Sequence, residues 1–297
     1  MNKIIKLFHY LIHDRRIIKI LLLHKVSAIY SDRKFLVKLF RLVMGYELNL
    51  DTPQTFNQKL NWLKLHDRKS QYTTMADKYR VKRYVTDAIG AEYVIPCYGA
   101  WERYEDIDFD QLPNQFVLKT NHDSSGATLC NDKTSINHAK LKKHFNKLLA
   151  RNYYYHLREW PYKNIKPLII AEKLLVDHTS ERLRDYKFWC FNGIPTYMYC
   201  TIKGGDVYEN FYDMDFNPVN ISHGFRRHIP EFDKPRQFDK MKDLAAKLST
   251  NIPFVRIDFF EVDNKLYFGE FTFYDWGGMK PFVNKIQDIE LGQLINL

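Results

Sequence analysis

The stretch Val255-Arg-Ile-Asp-Phe-Phe-Glu-Val-Asp-Asn-Lys-Leu-Tyr-Phe-Gly-Glu-Phe-Thr-Phe273 reads as two apolar strands around a polar turn, with Asp258 and Glu270 interrupting runs that belong in a core. The position of the turn decides whether these acids meet. With Asp263, Asn264 and Lys265 as a three-residue loop, Val262 faces Leu266, Asp258 lies opposite Glu270, and Arg256 lies opposite Thr272, all on one face. With a two-residue Asp263-Asn264 loop, Ile257 pairs with Glu270 and the acids point to opposite faces. Carboxylates directly across an antiparallel pair have Cβ atoms roughly 5 Å apart and repel unless a cation sits between them. The first register therefore predicts a bound cation, with magnesium the candidate. The second leaves two ordinary edge or exposed-face acids.

A chain of 297 residues buries a sizeable core and suits two or three lobes better than one. Its aromatic content of 15% is spread along the chain, as in packed sheets with polar-tipped clefts. Cys97, Cys130, Cys190 and Cys200 show no CxxC spacing, and the histidines form no HExxH or paired ligand pattern, which argues against zinc and fits a reduced cytosolic compartment. Positive charge is concentrated at one end: residues 1–45 hold ten Lys/Arg against Asp14 and Asp32, a net +8 of the chain's +10. Ile17–Leu23 is too short and too charged at its flanks to span a bilayer, and no small-residue cleavage site follows it as a signal peptide requires. Ile4, Ile5, Leu7, Phe8, Leu11 and Ile12, mixed with basic residues, suit an amphipathic helix. It either lies on an anionic membrane or packs on the protein's own core. No nucleic-acid-binding motif accompanies the charge, so nucleic acid is not expected as a partner.

Working outward, the first seventy or so residues read as helices, broken around Gly45–Pro53 and resuming over Thr55–Leu63, where Thr55 or Asn57 can cap. Another helix is expected over Met75–Thr86 and a basic one over 137–158. Phe116–Lys119 and Leu168–Val176 read as strands. Asn192-Gly193, between Tyr186–Phe191 and Thr196–Thr201, is the strongest hairpin signal in the chain. A helix over Asp239–Leu248 precedes the opening hairpin. Strands in hairpins rather than strict βαβ alternation predict an α+β fold.

Lys119 ends its strand and runs into Asp123-Ser-Ser-Gly-Ala127, whose small residues would let backbone N–H groups approach phosphate oxygens. Neither GxxxxGK[ST] nor GxGxxG is present, which leaves a P-loop NTPase and a Rossmann site unsupported. In order along the chain come Asp77-Lys-Tyr-Arg-Val-Lys-Arg-Tyr-Val85, Lys119 with its loop, Ala171-Glu-Lys-Leu-Leu175, Arg256-Ile-Asp258 and Gly269-Glu-Phe-Thr272. Together these resemble the ATP-grasp superfamily. Phe116-Val-Leu-Lys119, Asp185-Tyr-Lys-Phe-Trp-Cys-Phe-Asn-Gly193 and Gly269-Glu-Phe-Thr-Phe-Tyr274 carry a closer resemblance to its TupA-like branch, associated with teichuronopeptide and capsular polysaccharide synthesis.

The resemblance implies an ATP-grasp fold of two α+β lobes clamping ATP behind a helical basic N-terminal segment. The expected divisions are 1–70 (basic helical region), 71–115 (start of the core), 116–175 (lid lobe) and 176–297 (ATP- and magnesium-binding lobe). It implies that Lys82 and Lys119 bind ATP phosphates and that Ser124, Ser125 and Gly126 form the lid over them. The hinge would run from Glu172 to Leu175, with backbone groups of Lys173 and Leu175 reading adenine. Asp185 would hold ribose, Asp258, Glu270 and Thr272 would hold Mg²⁺, and Arg256 would stabilise charge in transfer. Thr272 stands where the superfamily has Asn, and Gly126 is the single glycine of a loop that is usually richer in glycine.

The implied activity is a carboxylate–amine ligase working through an acylphosphate, joining an amino acid or amine to an acidic glycan precursor. It would act in the cytoplasm, or peripherally at the inner face of the plasma membrane. Its rival is a nucleotide-sugar glycosyltransferase, for which Asp213-Met-Asp215 supplies a DxD pattern.

Overall fold

The computed structural model of the chain describes residues 15–124, 126–178, 183–202, 209–224 and 233–297. Its opening hairpin takes something from each register. Strands β9 (Phe254–Val262) and β10 (Lys265–Thr272) are joined by a two-residue turn in which Asp263 and Asn264 have φ of +48° and +64°, so Val262 pairs with Lys265. Such a left-handed pair matches the twist of the flanking strands, which a wider loop does not need to do. The three-residue loop is therefore not formed. Even so, the register shifts between Phe268 and Phe271, and beyond the shift Ile257 pairs with Phe271 and Arg256 with Thr272. A β-bulge at Gly269-Glu270 thus adds the residue that the tight turn withheld, and the acids share a face after all. Glycine suits the bulge because a Cβ at 269 would stand 3.1 Å from the Asp258 carbonyl oxygen and 3.2 Å from its Cβ.

These two strands end a six-stranded antiparallel sheet of order β10-β9-β5-β6-β7-β8, with β5 Arg184–Phe191, β6 Ile194–Ile202, β7 Asn210–Tyr212 and β8 Pro218–Val219. The predicted Asn192-Gly193 turn joins β5 to β6, with φ of +51° and +84°. Pairing of Lys187 with Asp258 and Tyr199, and of Trp189 with Arg256, places Asp185, Lys187, Tyr199, Arg256 and Asp258 on one face. Phe188, Met198, Ile257 and Phe271 occupy the other and pack, Phe188 against Phe238, on the long helix Phe238–Ser249. One sheet face is therefore core and the other is available for chemistry.

A second, four-stranded antiparallel sheet has the order β1-β4-β2-β3, with β1 Cys97–Trp101, β2 Phe116–Thr120, β3 Thr128–Cys130 and β4 Ile169–Lys173. Its separate core joins Tyr104, Phe116, Leu118 and Ile169 to Phe145 and Leu148 of helix His138–Leu149. The helix expected over 137–158 stops at Leu149, and a short turn, Tyr154–Leu157, follows.

The helix expected over Met75–Thr86 is likewise broken. Ser70–Ala76 and Val81–Ile89 are separated at Asp77, whose carboxylate accepts from the N–H groups of Tyr79 (2.9 Å) and Arg80 (3.2 Å). An aspartate that bonds its own downstream backbone competes with the helix ladder. Asp77 also accepts from Asn121 Nδ2 at 2.9 Å, tying this break to the loop after β2.

Helices Arg15–Lys25, Asp32–Met44 and Phe56–His66 precede both sheets; Gly45 (φ +79°) ends the second and a Thr55–Gln58 capping box starts the third. Leu23 packs in a cluster with Phe35, Leu36, Leu39 and Phe40, while Ile18, Leu21 and Leu22 remain exposed. Residues 1–14, including the Ile4–Ile12 pattern, lie outside the described residues. Among the described residues no helix is long and apolar enough to cross a membrane.

Candidate active site

Two charge clusters are built on the two sheets, and the second lines a cavity of about 550 Å³ through Asp185, Lys187, Arg256 and Glu270. In the first, Glu172 on β4 accepts one lysine on each oxygen: Lys82 Nζ lies 2.7 Å from Oε1 and Lys119 Nζ 2.5 Å from Oε2. The pairing of Lys119 with Ile170, two residues from Glu172, brings both side chains to the same sheet face. Lys82 reaches them from the helix after the Asp77 break and also donates to the Ile95 carbonyl at 2.8 Å. Burial pushes the Glu172 pKa up, but Lys119 and Lys82 more than offset it and hold the carboxyl below its usual range. Two ammonium groups on one carboxylate leave a net positive charge, prearranged for an anion.

In the second cluster Arg256 binds Asp258 through two parallel bonds, Nε to Oδ1 at 2.7 Å and an NH2 contact to Oδ2 at 2.8 Å. The same guanidinium donates to Asp275 Oδ1 at 2.6 Å and to Glu270 Oε1 at 3.1 Å. Lys187 bridges Asp258 (2.5 Å) and Asp185 (2.6 Å). Arg256, Asp258, Lys187 and Asp185 are all buried, so the charges persist only because each is paired. Burial works against ionised Asp258, while Arg256 and Lys187 work for it.

Glu270 is the accessible member, its side chain 37% exposed, with Oε2 3.7 Å from Lys78. Burial raises its pKa, but Lys78, Arg256 and Lys187 outweigh this and hold it at about 2. Because the folded-state value lies below the ordinary 4.5, Glu270 contributes stability above that pH and loses it as pH falls towards about 2. Glu270→Gln should therefore flatten the acid limb of a stability–pH curve between those values, measured by urea denaturation, by lowering stability near neutrality towards the value wild type shows once Glu270 is protonated.

The donor set bears on magnesium. All candidate ligands are oxygens, which a hard cation requires. Glu270 Oε2 accepts no hydrogen bond from the described residues, and Thr272 Oγ1 stands 3.5 Å from Glu270 Oε1. These two offer an ion one carboxylate oxygen, shared with Lys78 at 3.7 Å, and one hydroxyl; among the described residues no group of three His, Cys, Asp or Glu is placed to hold a metal. Asp258 fits only by sharing oxygens already held by Arg256 and Lys187.

Lys78 links the clusters. Four residues before Lys82, it donates to the Asp123 carbonyl at 2.6 Å and faces Glu270. Ser124 lines the cavity and hydrogen-bonds Tyr153. Ser125 lies outside the described residues. Gly126 is buried where a Cβ would come 2.8 Å from either Asp123 carboxylate oxygen. Lys173 closes β4 with its N–H bonded to the Pro96 carbonyl at 2.9 Å, and Leu175 follows half-buried. Asp185 is 1% exposed and paired with Lys187, so a ribose there would compete with that lysine.

Lys78, Lys187, Asp275 and Glu159 were not singled out from sequence. Lys187 had a signal in the Asp185-x-Lys187 spacing, which puts both on one strand face. Asp275 and Glu159 sit in irregular backbone with no periodicity to read. Asp213 accepts from the N–H groups of Asp215 (3.0 Å) and Asn217 (2.8 Å). The Asp213-Met-Asp215 pattern is thus a turn cap between β7 and β8.

The sequence matches the family described as TupA-like ATPgrasp over residues 58–296, and the chain belongs to that family. No curated protein matches significantly. Among solved structures, similar chains include D-alanine–D-alanine ligase from Helicobacter pylori (13% identity, 81% of this chain, 69% of that one, TM-score 0.44). The same ligase from Bacillus anthracis, complexed with ATP, gives 13% identity, 72% and 55% coverage and a TM-score of 0.38. The ATP-grasp ligase PsnB, complexed with minimal precursor, Mg and ADP, gives 10% identity, 73% and 57% coverage and 0.39. This chain thus spans 55% of the Bacillus anthracis enzyme's length and 57% of PsnB's.

Proposed function

We propose that the protein is an ATP-dependent carboxylate–amine ligase. Membership of the TupA-like ATP-grasp family supports ATP as the phosphoryl donor. The observation that carries the reading is the pair of half-neutralised cations Lys119 and Lys82, which share Glu172, together with the paired cations Lys78, Lys187 and Arg256 beside the accessible carboxylate of Glu270. Lys82 and Lys119 would bind the nucleotide's phosphates, with Ser124, Ser125 and Gly126 closing over them. The backbone at Lys173 and Leu175 would read adenine, with Glu172 fixing the two lysines and Asp185 near the ribose.

Glu270 and Thr272, with Asp258, would hold Mg²⁺, which when bound draws charge from the phosphate oxygens. A substrate carboxylate attacks the γ-phosphorus and ADP leaves. An amine then attacks the acyl carbon and phosphate leaves, giving an amide. Arg256 and Lys187 stabilise the charge that moves, so the protein needs no covalent nucleophile.

The substrates we favour are a uronic-acid carboxyl of a cell-surface polysaccharide precursor and an amino acid. Exposed Ile18, Leu21 and Leu22 beside Lys19 and Lys25 support peripheral contact with the inner face of an anionic membrane. In assays with glucuronate or galacturonate and the proteinogenic amino acids, ATP should yield ADP and phosphate only when acid and amine are both present. Release of AMP contradicts the reading.

A further inference from the structure

Glu159 follows the short helix Tyr154–Leu157 and is 7% exposed, yet its carboxylate accepts no hydrogen bond and forms no ion pair among the described residues. A buried carboxylate without donors is costly and calls for a partner. It lines the same cavity as Arg256 and Glu270, at an end walled by Tyr153, Tyr162, Tyr274 and Trp276. Burial raises the pKa of all three tyrosines, and the Glu159 charge raises each further.

The backbone beside it is shaped to leave room. Trp276 and Gly277 both adopt left-handed conformations, φ +48° and +63°. A Cβ on Gly277 would collide with Leu157 Cδ1 and stand 3.6 Å from Glu159 Oε1. A non-glycine residue held at positive φ in a cavity wall is the kind of strain that functional sites retain. Behind this turn, Lys64 is fully buried and donates to the Gly277 carbonyl at 2.6 Å and to Asn61 Oδ1 at 3.1 Å. It stands beyond ion-pair distance of Glu159, leaving the carboxylate oxygens free of a donor, while its charge pulls the Glu159 pKa down against burial.

A lone carboxylate among aromatic faces selects a ligand that is cationic and carries N–H donors. An anionic substrate would be repelled here. We propose that Glu159 is the anchor for the primary ammonium group of the amine substrate, holding it across the cavity from the carboxylate activated beside Arg256. This rests on the ligase reading and assigns its second substrate a place. Burial pushes the Glu159 pKa up to about 7, as expected of a carboxylate awaiting a cation.

The test is a set of thermal melts of the full chain with magnesium and a non-hydrolysable ATP analogue. To these are added the proteinogenic L-amino acids, ethanolamine or ethylamine, each beside its N-acetyl counterpart. At least one free amine should raise the wild-type Tm while its acetylated form does not. Glu159→Gln should weaken that amine's apparent affinity by at least about 30-fold, the loss expected when one partner of a buried charge pair is removed. The nucleotide's own shift should be unchanged, and the unliganded variant should melt no lower than wild type, because an unpaired buried charge has been removed.

Equal amine responses in wild type and variant, or no response to any amine in a protein that binds the nucleotide, overturn the assignment. A variant melting several degrees below wild type marks Glu159 as structural and also overturns it. Failure of the nucleotide itself to bind would instead remove the ligase reading.

Discussion

Asp258→Asn should abolish ADP formation, by at least about 100-fold, and should also destabilise the protein. The two effects have one origin. Asp258 is 2% exposed and compensates two buried cations, Arg256 through paired bonds and Lys187 through a 2.5 Å contact. Removing one partner of a buried ion pair costs about 3–5 kcal/mol because the remaining charge stays desolvated. Urea denaturation should show that loss near neutral pH. Adding Lys187→Met to Asp258→Asn should deepen the loss, because Asp185, 1% exposed, then gives up its 2.6 Å ion-pair partner. Glu270→Gln is the contrast: its side chain reaches solvent, so activity should fall as far while the stability lost near neutrality is smaller than for Asp258→Asn.

The double variant Lys82→Met, Lys119→Met should lose nucleotide affinity by about 10²–10⁴-fold, taking roughly 1.5–3 kcal/mol for each charged hydrogen bond to phosphate. It should also be destabilised, since Glu172, 4% exposed, loses both of its cations at once. Each single variant keeps one ammonium on Glu172, so its stability loss should be much smaller. Adding Glu172→Leu to the double variant should recover stability without nucleotide binding. Isothermal titration with an ATP analogue and urea denaturation separate the two effects.

These variants also show how far the chain could be read without coordinates. The one-face arrangement of Arg256, Asp258, Glu270 and Thr272 was open in the alternation of the strands, but the turn that seemed necessary for it was not the turn formed. Asp263-Asn264 takes the tight left-handed form, and the Gly269-Glu270 bulge corrects the register four residues later. Bulges leave little periodic signal, because their cause is the close approach of Gly269 to Asp258, a tertiary contact.

The break at Asp77 was hidden for a related reason. Helical periodicity continues through it, and what interrupts the helix is a side chain held by Asn121, forty-four residues away. The family motifs marked Lys82, Lys119 and Glu172, yet nothing in the sequence said that both lysines share one carboxylate. Glu159 and Asp275, in irregular backbone, became legible only through burial and missing or present partners.

The most direct measurement is a crystal structure with magnesium and a non-hydrolysable ATP analogue. The account predicts the triphosphate between the Lys82–Glu172–Lys119 cluster and Arg256, with the metal on Glu270. A nucleotide bound elsewhere, or a triphosphate out of contact with both clusters, would contradict it.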